Sequence, residues 1–597
     1  MKRLTIRWIC NMYMPFAQPI KKNRDMVSAF RGYNHNLRIE NKDYIQFYDM
    51  ANMTSDLLPV ASPRSLRGRV RKLTKPNGLF AHDKLCWVDG TSFYYNGASK
   101  GTVADSAKQF VRMGAYVLIW PDKKYYNAST DTFGDLGATF TSTPGATITA
   151  VLCRADGEAY TYTTGDVAPT TPADGDYWID TSGTTDVLKV YSESYGMWNS
   201  VPTVHVKISG TGIGSNFADG DGVTISGMSD SALNGNFVIE DCAAGYIIVT
   251  AVINANTTQT TSVTVARVIP TLDFITECQN RVWGCSSTNH EIYACKLGDP
   301  KNWNVFQGIS TDSYTATVGS GGNFTGATTH MGYVLFFKEN RIHKLYGTQP
   351  SNFTLSEDAV RGVASGSEKS IAIVNETLIY HAKSGVCTYG MALPESISYP
   401  LGVDAYSNAV AGACVNKYYM SAYKDGVYEM LVYDTRTGVW MKEDDAHVLY
   451  MAELGNDLYF VDSDGYLWSV AGNITDYILT EPVEGYGTGE GPEAEDAFEW
   501  MVETGDIGMD LPDHKYISGI RLLVAAAVGS ELTLSAQCDG GTWKTVKTFA
   551  KLPGKNMITI PYVTPRCYSM KLRIEGTGDI KLYSITKSVE MGSDVRV

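Results

Sequence analysis

The sequence predicts an all-β protein built on a β-propeller of about seven blades, with an inserted small β module and a C-terminal β-sandwich. Three observations predict this fold class. The 597 residues include 57 glycines and 37 tyrosines, which suits sheets with aromatic cross-strand pairs and glycine turns. Charged residues make up only 19%, which disfavours long solvent-exposed helices stabilised by Glu–Lys pairs. A strand–turn–strand pattern ending in Tyr or Trp recurs along the chain.

The recurring pattern is a hairpin of two apolar, aromatic strands joined by a short polar turn. With Trp283, Phe336, Ile379, Met420 and Phe460 as equivalent positions, the copies are separated by roughly 40 to 53 residues. This spacing indicates one blade of four antiparallel strands per copy, and a stack of sandwiches is the alternative. The seven copies span residues 85–95, 116–126, 281–294, 333–346, 378–389, 418–433 and 458–468.

One copy contains YDTRTGVW at residues 433–440, which resembles the strand–turn–strand of kelch-type blades. In such blades Tyr and Trp pack between neighbouring blades, and the Asp-x-x-x-Gly segment makes the turn. We expect the aromatic ends Trp87, Trp283 and Trp468 to pack between blades in the same way.

The spacing of the hairpins fails between the second and third copies, and this gap indicates an insertion. Residues 128–265 contain only three basic residues, Arg154, Lys189 and Lys207, and are rich in Thr, Ser, Gly and Asp. A Gly- and Glu-rich stretch at 481–493 is typical of a linker or a solvated loop. The predicted division is a basic N-terminal arm at 1–75, propeller parts at 76–127 and 268–475, inserted β domains at 128–267, and a linker with a β-sandwich at 476–597.

Charge is distributed unevenly along the chain. Residues 1–75 carry 15 Lys or Arg and 5 Asp or Glu, although the whole chain has a net charge of −14. The basic segment is either a solvated loop or an arm that docks on an acidic surface of its own chain or of a partner. We predict partner docking, and direct nucleic-acid contact is disfavoured because stacking aromatics are not interleaved with the cations. The docking residues are Arg64, Arg67, Arg69, Arg71 and Lys72.

The sequence shows no recognisable catalytic or metal-binding motif. None of the 11 cysteines stands in a CxxC pair, so we expect free thiols packed as small apolar groups after synthesis in a reducing compartment. A zinc site from Cys278, Cys285 and His290 would have the wrong spacing, and neither a metal nor another cofactor is expected. GxSxG, HExxH and Walker motifs do not occur, so no enzymatic activity is expected. A pair of carboxylates for glycoside hydrolysis stays an open alternative, because its two members can lie far apart in the sequence.

Several phrases resemble virion proteins of tailed bacteriophages of the propeller-type tail hub, nozzle and packaged-DNA stabilisation kind. These phrases lie at both ends and in the centre of the chain but not in the insertion. They are FRGYN at 30–34, YDMANM at 48–53, LPV at 58–60, LGDPKNW at 297–303, ETGDIG at 503–508 and EGTGDIKLYSI at 575–585.

The resemblance implies a structural subunit of the tail hub, nozzle or head–tail connector, present as a ring of copies around a DNA channel. It implies portal or adaptor, tail-tube, distal tail or fibre proteins as partners, and passage of double-stranded DNA without specific binding. The location would be the virion tail, after assembly in the bacterial cytoplasm. No membrane span is expected, because the longest apolar run, residues 522–528, is too short.

Two other functions stay open. The protein could bind a host surface or glycans through aromatic residues of the insertion, with Tyr177, Trp178 and Trp198 as candidate contacts. It could also be a glycoside-processing enzyme on the same fold, because a fold does not determine a function.

Overall fold

The computed structural model describes residues 22–37, 45–403, 405–473, 493–508, 514–550, 552, 554–560 and 564–591. The regular elements of these residues are β-strands and four short 3₁₀ helices, so the all-β fold class is confirmed. Within these ranges no helix has the length and apolarity to cross a membrane. The 3₁₀ helices are Ser231–Leu233, Pro350–Asn352, Glu368–Ser370 and Tyr399–Leu401.

Seven antiparallel sheets each contain one of the predicted hairpins as their second and third strands. Six of these sheets, blades 1 to 6, take all four strands from one continuous stretch, apart from an insertion between blades 2 and 3. The strands are Pro76–Ala81, Leu85–Asp89, Ser92–Tyr95 and Ala98–Thr102 in blade 1; Gln109–Met113, Tyr116–Trp120, Lys124–Asn127 and Thr132–Asp135 in blade 2; Phe274–Cys278, Arg281–Ser286, Glu291–Ala294 and Tyr314–Thr317 in blade 3; Gly326–His330, Tyr333–Lys338, Arg341–Tyr346 and Thr354–Asp358 in blade 4; Ala372–Val374, Thr377–Ala382, Gly385–Tyr389 and Pro394–Ser396 in blade 5; and Ser407–Cys414, Lys417–Lys424, Val427–Asp434 and Val439–Lys442 in blade 6.

The blades are arranged in a ring around a central cavity of about 370 Å³. The first strands of blades 1, 2, 3, 4, 6 and 7 line this cavity, together with the 3₁₀ helix before blade 5. Buried apolar clusters join consecutive blades: Trp87 of blade 1 clusters with Tyr459 of blade 7, and Trp283 of blade 3 with Phe336 of blade 4. The β-propeller is therefore confirmed.

The middle strands of the blades consist of continuous runs of apolar residues, because neighbouring blades cover both of their faces. Along Arg281–Ser286 every residue is buried, and along Thr377–Ala382 every residue after the first is buried. A blade inside a ring packs against a neighbour on each side, so alternation between apolar and polar residues is lost in these strands.

Blade 7 is closed by a strand from the N-terminal part of the chain. Its strands Val448–Leu454, Asp457–Asp462 and Tyr466–Ser469 are followed in space by Gly68–Lys72, which pairs antiparallel with the third. A short strand, Glu493–Ala494, pairs with the other side of Gly68–Lys72. The basic segment is thus part of the propeller rather than an arm, because its alternating Gly-Arg-Val-Arg-Lys pattern buries Gly68 and Val70 in the blade.

The C-terminal sandwich also takes strands from the N-terminal part of the chain. Tyr33 forms bridges both to Phe47 and to Trp440 of blade 6, and one apolar cluster runs from the sandwich into blades 5 to 7. The sandwich and the propeller therefore share a core. One sheet has the order Lys22–Val27, Ile580–Met591, Lys515–Ala526, Gly554–Ile560; the other has the order Phe47–Ala51, Glu499–Thr504, Met570–Thr577, Glu531–Cys538, Lys544–Phe549; and Met53–Thr54 pairs with Ser62–Pro63. The predicted linker at 481–493 lies, except for its last residue, outside the described residues.

The insertion follows the last strand of blade 2, Thr132–Asp135, and contains two sheets around one apolar cluster. It is held to blade 3 by buried Asp221, which pairs with Arg267 and accepts a 2.9 Å hydrogen bond from Asn302 Nδ2. The large sheet has the order Ala138–Thr141, Thr264–Arg267, Gly222–Ser226, Gly235–Ala243, Tyr246–Thr250, His205–Ser209, Ile148–Cys153, Thr257–Gln259; the small sheet has the order Tyr162–Gly165, Tyr177–Asp180, Val187–Ser192, Met197–Ser200.

Candidate functional site

The small sheet of the insertion carries aromatic residues on the side turned away from its core. Trp178 lies opposite Lys189, and Tyr191 lies opposite Trp198, so these four side chains share one side of the sheet. Asp180 joins them because it is two residues from Trp178 on the same strand. We call these five residues, Trp178, Asp180, Lys189, Tyr191 and Trp198, the aromatic face.

The rings of the aromatic face are in contact. The ring centroid of Trp198 lies 5.5 Å from that of Trp178 and 5.3 Å from that of Tyr191. Trp178 is only 5% exposed, and its Nε1 donates a hydrogen bond of 3.1 Å to the carbonyl of Gly165. Trp198 and Tyr191 are half-buried, so they present the accessible ring surface, with Trp178 as their support.

Polar groups lie beside these rings. Lys189 Nζ is 2.7 Å from Asp180 Oδ2 and 5.3 Å from the ring centroid of Trp178. The hydrogen bond from Lys189, helped by those from Ser182, lowers the pKa of Asp180 to about 2. The carboxylate is therefore ionised at any physiological pH and accepts hydrogen bonds, while the ammonium group donates them.

The opposite side of the small sheet packs onto the insertion's core. Ile179 and Leu188 belong to the buried cluster there, and Tyr177 packs beside it with its ring centroid 4.8 Å from that of Tyr160. Tyr177 and Trp178 are consecutive residues of one strand, so they lie on opposite sides of the sheet. The structure thus brings together the predicted residues Trp178 and Trp198 but separates Tyr177 from them.

Two of the predicted docking residues have their partners within the same chain. Arg67 donates hydrogen bonds of 2.6 Å to both Asp444 and Glu443, and Arg64 binds Glu495 through both terminal nitrogens at 2.6 and 2.7 Å. Burial alone would lower the pKa of Arg67, but the charges of Asp444 and Glu443 outweigh it and raise that pKa. Arg64 and Arg67 are buried, so the expectation that they dock on a partner is corrected.

The other three predicted docking residues lie against aromatic rings between blades 7 and 1. Arg69 and Lys72 lie 5.2 and 4.8 Å from the ring centroid of Tyr466, and Arg71 lies 4.8 Å from that of Trp87. Arg69 also pairs with Glu493 on the neighbouring strand. Cations and aromatic rings are therefore interleaved in space although they are not interleaved in the sequence.

Carboxylates converge in a second cavity, of about 310 Å³, between the N-terminal segment and blades 6 and 7. Each is paired: Asp56 with Lys417 at 2.6 Å, Asp434 with Arg436 at 3.2 Å, and Glu443 with Arg67. Burial would raise the pKa of Asp56, but Lys417 outweighs it and lowers that pKa. The arrangement supplies charged hydrogen-bonding groups rather than a carboxylic acid poised to donate a proton.

Sequence reasoning missed Tyr191 and the polar pair of Asp180 and Lys189. The turn at residues 193–196 joins Val187–Ser192 to Met197–Ser200 and sets Tyr191 opposite Trp198. Recognising that turn, with its Gly196 at a φ of 64°, would have allowed the register to be counted back from Trp198. In the described ranges no group of three or more His, Cys, Asp and Glu residues could hold a metal ion.

No protein-family model and no curated protein matches the chain. Solved structures match at low similarity. The exo-β-1,3-galactanase of Phanerochaete chrysosporium with galactose is 10% identical with a TM-score of 0.20, and the match covers 52% of this chain and 94% of that one. Hsv2 of "Kluyvelomyces marxianus" is 10% identical with a TM-score of 0.23, and the match covers 51% of this chain and 92% of that one. An engineered GH43 glycoside hydrolase with endo-xylanase and exo-arabinofuranosidase activity is 8% identical with a TM-score of 0.20, and the match covers 53% of this chain and 96% of that one. Likeness at this level carries no argument about the residues or substrate of this chain.

The comparison does correct the functional expectation. Because the matches include glycoside hydrolases, the expectation of a structural subunit of a phage tail hub, nozzle or connector is wrong on this finding. The expectation that the chain has no enzymatic activity is wrong on the same finding. The phage resemblance, the partners, the ring of copies and the virion location stay predictions.

Proposed function

We propose that the protein recognises glycans and that the aromatic face of its insertion is the binding surface. The observation that supports this is the pair of half-buried rings, Trp198 and Tyr191, beside the ionised Asp180 and Lys189. A pyranose ring has a face of C–H groups and a rim of hydroxyls. The first suits an indole or phenol ring, and the second suits a carboxylate and an ammonium group.

The aromatic face is also held rigidly, which lowers the entropic cost of binding. Trp178 is buried beneath Trp198, and the other side of the sheet is anchored in the insertion's core through Ile179 and Leu188. The insertion itself is joined to blade 3 by the buried Asp221, which accepts a hydrogen bond of 2.9 Å from Asn302. A ligand therefore meets rings that are already in place.

The proposal is tested by screening the full-length protein on a glycan array and titrating the best soluble oligosaccharide, with β-1,3-galactotriose included in the panel. Trp198→Ala should weaken binding by about tenfold or more, because it removes the main accessible ring. Tyr191→Ala should weaken it as well, and Tyr191→Phe should retain binding because the ring stays.

Tyr177→Phe is the matched control, because it changes a ring of the same sheet on the side facing the core. It should leave the affinity unchanged. Release of reducing sugar from the bound oligosaccharide is measured in the same samples, so that hydrolysis is detected if it accompanies binding. An array without any bound glycan, or binding that Trp198→Ala leaves intact, would refute the proposal.

A further inference from the structure

A serine, a histidine and a glutamate are neighbours where blades 3 and 4 meet. The Oγ atom of Ser320 lies 3.0 Å from Nε2 of His343, which is hydrogen-bond distance. On the other side of the ring, Nδ1 of His343 lies 3.8 Å from Oε2 of Glu357. The imidazole therefore connects a hydroxyl to a carboxylate, which is the order of groups that activates a serine as a nucleophile.

Two separate elements bring these groups together. His343 is in the third strand of blade 4 and is paired directly with Glu357 in the fourth, so both side chains lie on one side of the sheet. Ser320 lies in the loop of residues 318–325, between the last strand of blade 3 and the first strand of blade 4. Lys338 Nζ holds this loop by donating a hydrogen bond of 2.6 Å to the carbonyl of Ser320.

The surroundings of His343 leave its ring neutral and oriented. The residue is fully buried, and its Nδ1 has no hydrogen-bond partner among the described residues. Because a neutral imidazole has one donor and one acceptor, a hydroxyl that donates to Nε2 leaves the ring proton on Nδ1, facing Glu357. Burial lowers the pKa of His343, and the charges of Lys338 and Arg341 act in the same direction against that of Glu357. The ring is therefore free to accept a proton at pH 7.

The serine is accessible, and the histidine lies behind it. Ser320 is half-buried, and the neighbouring Gly319, Gly321 and Gly322 are exposed. A Cβ atom added at any of these three glycines would meet no atom within 4 Å. The loop therefore leaves open space around the hydroxyl, in which the alcohol part of a substrate can be large.

We propose that Ser320 is the nucleophile of a site that hydrolyses carboxylic esters, with His343 as general base and Glu357 as a positioning residue. The Ser320 oxygen attacks the carbonyl carbon of the ester while Nε2 of His343 takes its proton. The bond from this carbon to the alcohol oxygen then breaks, the alcohol leaves with that proton, and the acyl group remains on Ser320. A water molecule next attacks the acyl carbon and gives a proton to Nε2. The carboxylic acid is released as this proton returns to the Ser320 oxygen.

The loop also supplies a group for the negative charge that develops on the carbonyl oxygen. The backbone amide of Gly321 directly follows the nucleophile, which is a position that donates to such an oxygen in serine hydrolases. This site is in the propeller, whereas the aromatic face is in the insertion. The ester-hydrolysing activity thus goes beyond glycan binding, and either proposal can fail without the other.

The test is incubation of the full-length protein with a fluorophosphonate, which reacts covalently with activated serines, followed by peptide mass spectrometry. We expect the label on Ser320, and hydrolysis of p-nitrophenyl acetate that is lost after labelling. Ser367 is an internal control, because its Oγ is also bonded to a histidine, His381, at 3.1 Å but is fully buried. It should stay unlabelled.

Variants separate this site from background hydrolysis by other side chains. Ser320→Ala should abolish the label, and it should lower kcat/KM for p-nitrophenyl acetate by about a hundredfold or more. His343→Gln should have a similar effect. Ser310→Ala is the matched control, because Ser310 is an exposed serine in a loop of blade 3, and it should leave the rate unchanged.

Glu357→Gln tests the positioning role, and kcat should fall by about tenfold or more. Because the charge of Glu357 raises the pKa of His343, the acid limb of the pH–rate profile should move to lower pH in this variant, which a merely structural role would not cause. The wild-type mapping stands even if a variant fails to fold. Wild-type protein with Ser320 unlabelled, hydrolysis that survives Ser320→Ala, or a labelled Ser320 without ester turnover would overturn the proposal.

Discussion

Replacing Arg67 by Met should loosen the junction between the N-terminal segment and blades 6 and 7. Arg67 is 4% exposed and donates two hydrogen bonds of 2.6 Å to Asp444 and Glu443. Among the ion pairs that the described residues form with Glu443, the one that remains joins it to Arg64 Nε at 3.8 Å. Breaking a buried ion pair by removing one partner costs about 3–5 kcal/mol, and two charge-assisted hydrogen bonds at about 1.5–3 kcal/mol each give a similar sum.

Hydrogen exchange measured by mass spectrometry is the suitable assay, because a shared core makes a single unfolding midpoint hard to interpret. In peptides covering residues 52–67 and 440–447, a loss of about 3–5 kcal/mol raises the local opening constant by roughly two to three and a half powers of ten. A double variant with Glu443→Gln should lose less than the sum of the single losses.

Arg436→Met is the matched control, because the Arg436 side chain is 54% exposed and pairs with Asp434 at 3.2 Å. Asp434 is buried but keeps the hydrogen bond of 2.7 Å from the Ser55 hydroxyl, and Arg436 lies in solvent, so losing this pair should cost about 1 kcal/mol or less and exchange should change by less than about tenfold. If Arg67→Met changed exchange no more than Arg436→Met does, the reasoning that treats the Arg67 cluster as a buried structural network would be refuted.

Three further outcomes are expected. Asp221→Ala should leave the buried Arg267 without its carboxylate and expose residues 136–147 to limited proteolysis, with a cost of about 3–5 kcal/mol; unchanged cleavage would contradict this. Burial lowers the pKa of His381 to about 4, so the neutral imidazole contributes fully to the free energy of unfolding above about pH 6.5. As the pH falls toward 4 the folded protein should lose up to about 3 kcal/mol of stability. Thermal scans from pH 7 to pH 4 should show a smaller loss in His381→Gln. Ending the chain after residue 473 should give insoluble protein because Tyr33 and Trp440 belong to the core shared with the sandwich, and a soluble, cooperatively melting product would count against that core.

The local part of the fold could be predicted from the sequence. Each blade hairpin is a pair of neighbouring strands, so its apolar runs and its turn lie within about 15 residues of each other. The strand Gly68–Lys72 could not be recognised in this way, because its partner Tyr466–Ser469 lies far along the chain and its outward positions are basic. The first sandwich strands, Lys22–Val27 and Phe47–Ala51, were missed for the same reason.

The candidate site could be predicted in part. The excess of aromatic residues in the insertion drew attention to Trp178 and Trp198, but strand register decides which rings meet. The excess of positive charge in residues 1–75 suggested that Arg64 and Arg67 dock on a partner, but both residues form ion pairs within the chain. Their partners Glu443, Asp444 and Glu495 are distant in sequence, and charge counts along a chain do not show which charges meet in space.

The ring-closing strand constrains how the chain folds during synthesis. Gly68–Lys72 leaves the ribosome early, but its partner Tyr466–Ser469 follows only after about 400 residues, which at about 5–20 residues per second takes about 20–80 s. Glu493–Ala494, which covers the other side of that strand, comes later still. Until then the strand Gly68–Lys72 has no partner strand, and its free backbone groups can pair with strands of other chains. Slower translation near residue 470, or the lack of chaperones that shield such edges, should therefore reduce the yield of correctly folded protein through aggregation rather than through loss of native stability.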